Sequence, residues 1–369
     1  MRKATYLEEI NDLHNKSKHY FAAANTEDGF VSFFDSVFNN VNISKIYILK
    51  GGPGVGKSTI MKKAAIIAEK KGLTVENYHC SSDPKSLDGV VIKEKKIVIL
   101  DGTSPHVFDP VYPGARDVII NLGEAWDLNK LEQNFLPIKE LSREKSASYK
   151  TAYRILHAAG IFDKELTDIG MSCFKYDKAY AAAKRLAEKL AQKEKVQSVC
   201  DFTVNNAISC DGKVRFFTHE KDAETLYFVK DVRNLSGVFF DMLEECLKKS
   251  GEYIVCGKNP LSPEKTDDIY LPDSKTIISR YDTEFCSLLE KNGVQYKVIN
   301  LGRFVDAEKY RQQKTKYRFT ERCFETLMNE AFFYLAKAGE YHAELEKIYS
   351  SATDYEKVAF LAEPIFKEI

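Results

Sequence analysis

Three things are missing from this 369-residue chain, and each absence removes a class of function. There is no surplus of charge: 54 basic residues balance 54 acidic ones. A nucleic-acid binder needs a basic field, so no nucleic-acid partner is expected. There is no long apolar run either. The longest wholly aliphatic stretches, such as "IVIL" at 97–100, fall far short of the roughly 20 residues that span a bilayer, so no membrane partner is expected. The N-terminal "MRKATYLEEINDLHNKSKHYF" is charged throughout and lacks the apolar segment of a secretory leader. Finally, the eight cysteines (Cys80, Cys173, Cys200, Cys210, Cys246, Cys256, Cys286 and Cys323) contain no C-x-x-C pair. Neither a zinc framework nor a disulfide scaffold is indicated, and reduced thiols in a cytoplasmic protein are expected.

What the chain does contain is written twice. "INLGEAWDLNKLEQ" at 120–133 and "INLGRFVDAEKYRQ" at 299–312 share seven of fourteen letters in register. Sliding the sequence by 179–180 residues also places "YILK" on "YFVK" and "DPKSLDGVVI" on "SPEKTDDIYL". Ala159-Gly160 then falls on Ala338-Gly339, and "YDKA" on "YEKV". A hydrophobic fraction of 44% supplies enough apolar surface for two cores, so two homologous domains are expected, 1–190 and 191–369, joined near 187–213.

In each copy, short apolar runs alternate with helical stretches. This predicts two tandem three-layer α/β domains, each with a parallel sheet and a C-terminal helical extension. In the first copy the extension runs from Gly123 to about 194, with breaks expected at Pro137 and Gly160. Phe30, Phe33, Phe34, Val37 and Phe38 fall at helical spacing. An amphipathic helix packed on its own domain is expected there, without a counterpart in the second copy.

The most informative stretch is "GGPGVGKST", Gly51 to Thr59, which fits G-x-x-x-x-G-K-[ST]. Gly51, Gly52, Pro53, Gly54, Val55 and Gly56 leave an apolar strand and precede a helical run. Backbone amides in such a turn point inward around a phosphate, and side chains at the glycine positions would block its approach. The helix then starts at the anion, where its unpaired amides favour negative charge. Lys57 is placed for the β/γ-phosphates of ATP, and the hydroxyl of Ser58 for Mg2+. "KKIVILDG" supplies the acid that ends a neighbouring buried strand, Asp101, expected to hold Mg2+ through water. Gly102 follows it, so the Asp-Glu pair of motor-type ATPases is absent, which favours transfer chemistry over simple hydrolysis.

"GGPGVGKST", "HCSSDPKSLDGV", "ILDGTSPHVFDP" and "YPGARDVIINLGE" together resemble a family of bacterial tandem P-loop proteins classed as ATPases or nucleotide kinases. The resemblance implies ATP binding on a P-loop fold over essentially the whole chain, and no particular substrate.

The duplication is an internal control. Opposite the glycine turn stands "DVRNLSGVF". Asp231 brings a carboxylate to the phosphate position, Gly237 replaces Lys57, Val238 replaces Ser58, and Arg280 stands opposite Asp101. The second copy is therefore expected to be catalytically silent. Lys139 and Arg143 face Arg318 and Arg322, so they read as a solvated or packing surface. Asp83, His106, Asp109 and Arg116 face Ser262, Phe285, Leu288 and Gln295, and so disappear together with the phosphate turn. Asp83 could be a base or bind an acceptor, although Ser-Asp-Pro is also an ordinary turn. His106 lies just beyond Asp101, near a γ-phosphate. Arg116 could act as an arginine finger or be a surface residue, and His79 and Cys80 could line the site or be buried for packing.

Three functions follow from these residues. One is ATP hydrolysis in the first domain, coupled to a conformational change. The second is phosphoryl transfer to a small-molecule or nucleotide acceptor. The third is ATP sensing, with the silent domain docking a protein partner.

Overall fold

The short apolar runs become strands because β-branched and aromatic side chains suit a pleat buried on both faces. The computed structural model describes residues 10, 17–39, 42–191 and 199–369. Most of the charged N-terminal segment and part of the junction between the copies therefore lie outside the described residues. The first copy contains β1 (Lys18–Phe21), β2 (Ala23–Thr26), β3 (Gly29–Ser32), α1 (Phe34–Phe38), β4 (Lys45–Lys50) and α2 (Lys57–Lys70). There follow β5 (Val75–His79), β6 (Leu87–Ile92), β7 (Ile97–Asp101), β8 (Asp117–Asn121), α3 (Leu128–Gln133), α4 (Phe135–Ser172) and α5 (Tyr176–Leu190).

The second copy repeats this order with β9 (Cys200–Thr203), β10 (Asn206–Ser209), β11 (Gly212–Arg215), α6 (Thr218–Asp222), β12 (Thr225–Lys230) and α7 (Ser236–Lys249). It continues with β13 (Ile254–Lys258), β14 (Thr266–Leu271), β15 (Thr276–Arg280), α8 (Thr283–Lys291), β16 (Lys297–Asn300), α9 (Ala307–Ser351) and α10 (Tyr355–Glu368). No described helix is long and apolar enough to cross a membrane. None of the eight cysteines is in a disulfide.

Each copy forms a six-stranded sheet, in the orders β1-β5-β6-β7-β4-β8 and β16-β12-β15-β14-β13-β9. The sheets are mixed, which corrects the expectation of parallel ones: β6 runs antiparallel to β5 and β7, and β14 to β13 and β15. The cause is connection length. β6 is joined to β5 and β7 by short turns, whereas a parallel return needs a crossover of about a dozen residues or more. β4 and β12 keep parallel neighbours on both sides.

Three further expectations are corrected. Residues 29–32 form the second strand of a hairpin, and only Phe34–Phe38 are helical. Gly29, with φ 103°, makes the turn that the helical phenylalanine spacing concealed. The hairpin and helix do have a counterpart, in β10, β11 and α6. Finally, α4 is unbroken over 38 residues. Pro137 stands in its first turn, where a missing amide costs nothing, and Gly160 is absorbed without a break.

Two compact units result, and they follow packing rather than the order of the repeats. The first is Met1–Arg154 with Ala207–Phe216 and Glu330–Ile369. The second is Ile155–Asn206 with Phe217–Asn329. Each sheet thus receives a helical arm from the other copy. In the first unit, Val358, Ala362 and Ile365 of α10 join the core formed by α2 and β4. In the second, Ala179, Ala182, Ala183 and Ala187 of α5 pack with Phe239, Phe240 and Leu243 of α7.

The arms are clipped in place by backbone hydrogen bonds. Asp127 N donates to Ala352 O and Asp354 N to Ala125 O, both at 2.8 Å. The second unit repeats the pair: Lys175 N donates to Phe304 O at 2.7 Å, and Asp306 N to Cys173 O at 2.8 Å. The duplicated "INLG" leads into both clips. Asn121 and Asn300 each accept from the amide two residues on, that of Gly123 or Gly302.

Two glycines test this packing with opposite signs. A methyl group at Gly339 would meet Cys210 Cβ at 3.6 Å, an ordinary contact, whereas at Gly170 it would lie 2.3 Å from the Arg233 carbonyl oxygen. Gly339→Ala should stabilise by up to about 1 kcal/mol through helix propensity. Gly170→Ala should destabilise by about 1–3 kcal/mol, because backbone must move. Urea unfolding of both variants checks this, and stabilisation by Gly170→Ala would contradict the close approach of α4 to the 231–235 loop.

Candidate functional site

The pairing of β4 with β7 and β8 brings three strand ends together: Leu49 lies beside Asp101, and Lys50 beside Asn121. The glycine turn 51–56 leaves this edge, where open α/β sheets hold their ligands. Gly54 and Gly56 adopt φ 71° and 98°, in the left-handed region, and α2 begins at Lys57 with no side-chain cap and no acid in its first turn. The amides at this helix start are thus left to an outside partner.

Lys57 Nζ donates to the carbonyls of Gly51 (2.7 Å) and Gly52 (2.9 Å) and lies 3.6 Å from Asp101 Oδ2. Asp101 Oδ1 accepts from the amide and hydroxyl of Thr103. Burial lifts the Asp101 carboxyl above its ordinary range, although Lys57 and Thr103 pull it down. Ser58 Oγ accepts from Leu87 N at 3.0 Å. Lys57 and Asp101, chosen from spacing alone, are therefore neighbours, and Ser58 follows Lys57 at the start of α2. A half-buried carboxylate at the strand end and a hydroxyl at the helix start are oxygen donors of the hard kind that suits Mg2+.

The other candidates separate. His106 is buried, stacked on Phe34 with ring centroids 4.6 Å apart, and its Nε2 lies 3.1 Å from Asp88 Oδ2. Burial works to lower its pKa, but the Asp88 carboxylate beside it outweighs this and the pKa is raised. Cys80 Sγ, Asp88 and His106 bring one ligand atom each within 4.8 Å of one another, but Asp88 and His106 already face each other as an ion pair. Asp83 closes its own turn, with Oδ2 accepting from Ser86 Oγ and Oδ1 from Lys85 N.

Arg116 binds Asp117 and Asn39 and stacks on Tyr112. That geometry makes it a structural strap. His79 is fully enclosed, with Nδ1 2.7 Å from the Pro84 carbonyl and Nε2 2.8 Å from His19, and burial lowers its pKa to about 4. Lys50 holds the 102–109 loop through the carbonyls of Gly102 and Phe108.

Several neighbours of the glycine turn were hidden from the sequence because they come from the exchanged arm. A methyl group at Gly54 would lie 2.6 Å from the Glu346 carbonyl, and one at Gly52 would lie 3.2 Å from the Tyr349 ring. Tyr355 Oη donates to Gly54 O at 2.9 Å. His342 Nδ1 lies 3.5 Å from Lys145 Nζ. Burial, then Lys145 and Lys57, lower the His342 pKa to about 4. Burial raises that of Glu346, with Lys57 and Lys145 opposing. Asp88 did leave a signal: it is an acid inside the otherwise apolar strand "LDGVVI", and the second copy keeps one at Asp267.

The second unit shows the same turn filled from within. Asp231 Oδ1 accepts from the amides of Leu235 (2.9 Å) and Ser236 (3.0 Å), so a carboxylate occupies the start of α7. Arg280 lies 3.8 Å from Asp231 and also binds Asp267. Phe285, opposite His106 in the repeat, stacks on Phe217 at 3.8 Å. Comparison of the chain with protein-family models, curated proteins and solved structures gives no match.

The His106–Asp88 pair yields a signed prediction. With its folded pKa raised, His106 contributes stability that is complete below its unfolded value near 6.5 and is lost as pH rises through the folded value. Asp88→Asn leaves burial opposed only by the charge of Asp101, the weakest of these influences, and should lower the imidazole pKa. Histidine NMR titration of both proteins measures the change. An unmoved His106 resonance would mean that Asp88 does not set its charge.

Proposed function

We propose that this chain is a Mg-ATP-binding P-loop NTPase that hydrolyses ATP in its first unit, while the second unit is catalytically silent. The observation that carries this reading is Asp231. In the second copy a carboxylate sits against the amides of the corresponding turn, with Arg280 beside it. The turn is therefore an anion cradle in this chain. In the first copy glycine stands at the position of Asp231, and Lys57 supplies the cation.

On this reading the amides around Val55 and Gly56 hold a phosphate, and Lys57 exchanges its carbonyl partners for the β/γ-phosphate oxygens, where charge grows during reaction. Ser58 and Asp101 would hold Mg2+, which when bound neutralises phosphate charge. His106 and Asp88 form a charged pair beyond Asp101. On the side facing α9, Lys145 supplies a cation, His342 is held neutral, and Glu346 supplies the opposing carboxyl. The resemblance to bacterial tandem P-loop proteins agrees with this reading, which rests on the residues themselves.

Lys57→Ala should lower ATP turnover roughly 10²-fold or more while leaving the fold intact, the usual loss when one transition-state charge partner is removed. Asp101→Asn should also lower it, chiefly by weakening the response to Mg2+. ADP release measured without any acceptor is the assay. A chain that is idle without an acceptor and active with one would make it a phosphotransferase, and near-normal turnover in Lys57→Ala would reject the site.

Calorimetric titration should lose one Mg-ATP equivalent per chain in Lys57→Ala. ATP turnover that survives this substitution would show that the second unit is not catalytically silent.

A further inference from the structure

The second unit lost the residues of a phosphate cradle but gained a different set of cations beside the same loop. A cleft of about 450 Å³ is walled by Arg233 from the loop after β12 and by Tyr310, Arg311, Lys314, Arg318 and Glu321 of α9. Four cations face one acid. No carboxylate is paired with Arg311, Lys314 or Arg318 among the described residues.

Fold stability does not account for this arrangement. Arg311 and Lys314, and then Lys314 and Arg318, are like charges three and four residues apart on one helix, which disfavours the helix. Arg233 and Asn234 both hold positive φ, 65° and 58°, a conformation that side chains resist and that Gly54 supplies in the first copy. The guanidinium of Arg233 is pinned over the Tyr310 ring at 3.7 Å, and its Nε is buried without a hydrogen-bond partner among the described residues. The first copy keeps only one of these cations, Lys139 opposite Arg318, while the positions of Arg233, Arg311 and Lys314 are taken by Pro53, Glu132 and Phe135.

We propose that this cleft is a second anion site, and that its ligand is a compact chain of linked phosphates, either free or carried by a nucleotide. Arginine is suited to such a ligand because its planar fork meets phosphate oxygens in pairs. From Arg311 to Arg318 the helix advances roughly 10 Å, which spans more than one phosphate group. The volume suits a small ligand rather than a polymer. The inference does not depend on the reading of the first unit.

Tripolyphosphate titrated into the full chain by calorimetry, without magnesium, is the direct test. The expected result is one equivalent bound at least ten times tighter than inorganic phosphate, still present in Lys57→Ala and weakened at least tenfold by Arg311→Glu/Lys314→Glu. Both substituted side chains are exposed, so the variant should keep its circular dichroism spectrum. In the Lys57→Ala background, ADP binding tighter than pyrophosphate would identify a nucleotide ligand, and equal binding a bare phosphate chain; both support the site. Full affinity in the double variant, loss of binding in Lys57→Ala, or no preference over inorganic phosphate would each overturn it.

Discussion

Everything in this molecule depends on a pair of backbone hydrogen bonds made twice. The strand leaving each sheet edge turns through "INLG" and then pairs with the bend between two arm helices: 125–127 with 352–354, and 304–306 with 173–175. Main-chain groups make these bonds, so they tolerate the divergence of side chains around them. The buried amides and carbonyls must find partners, and each copy supplies those needed by the other's sheet. The repeated sequence persists where it builds this clip, which explains why "INLG" survived while the glycine turn did not.

The clip has a consequence for the proposed nucleotide site. Glu346, Tyr349, Tyr355 and His342 belong to the arm of the second copy, yet they surround the turn of the first. The second copy is therefore required for the first unit even though it lacks the phosphate-binding residues. In the second unit the corresponding arm of the first copy touches the degenerate loop: Asn234 Nδ2 donates to Thr167 Oγ1 and to Asp163. One arrangement serves a turn whose helix start has no side-chain cap and another whose helix start is capped by its own carboxylate.

The electrostatics of the two units differ by an exchange of roles. In the first, Lys57 and Asp101 face each other across the strand ends. In the second, the carboxylate is Asp231 on the loop and the cation is Arg280 on the strand. In the second unit Arg280 is shared between Asp231 and Asp267, whereas in the first Lys57 faces Asp101, whose carboxyl burial raises. The spare cations of the second unit lie instead in the cleft along α9.

The sequence by itself determined the duplication, the α/β class, the glycine turn with Lys57, Ser58 and Asp101, and the losses in the second copy. Each of these is a local spacing or a register match, and local geometry carries it. It extended the helix of 34–38 back to Phe30 because phenylalanines spread through a hairpin and a short helix imitate a 3.6-residue period. It expected parallel sheets because apolar composition does not encode strand direction, which here follows from the length of the turns. The partners of His106 and of the glycine turn were decided only by tertiary structure. Asp88 reaches His106 across the sheet, and the arm residues lie almost 300 positions from the turn they cover, as Tyr355 on Gly54 does at a separation of 301. No spacing rule reaches that far, because only the folded backbone sets the distance between such residues.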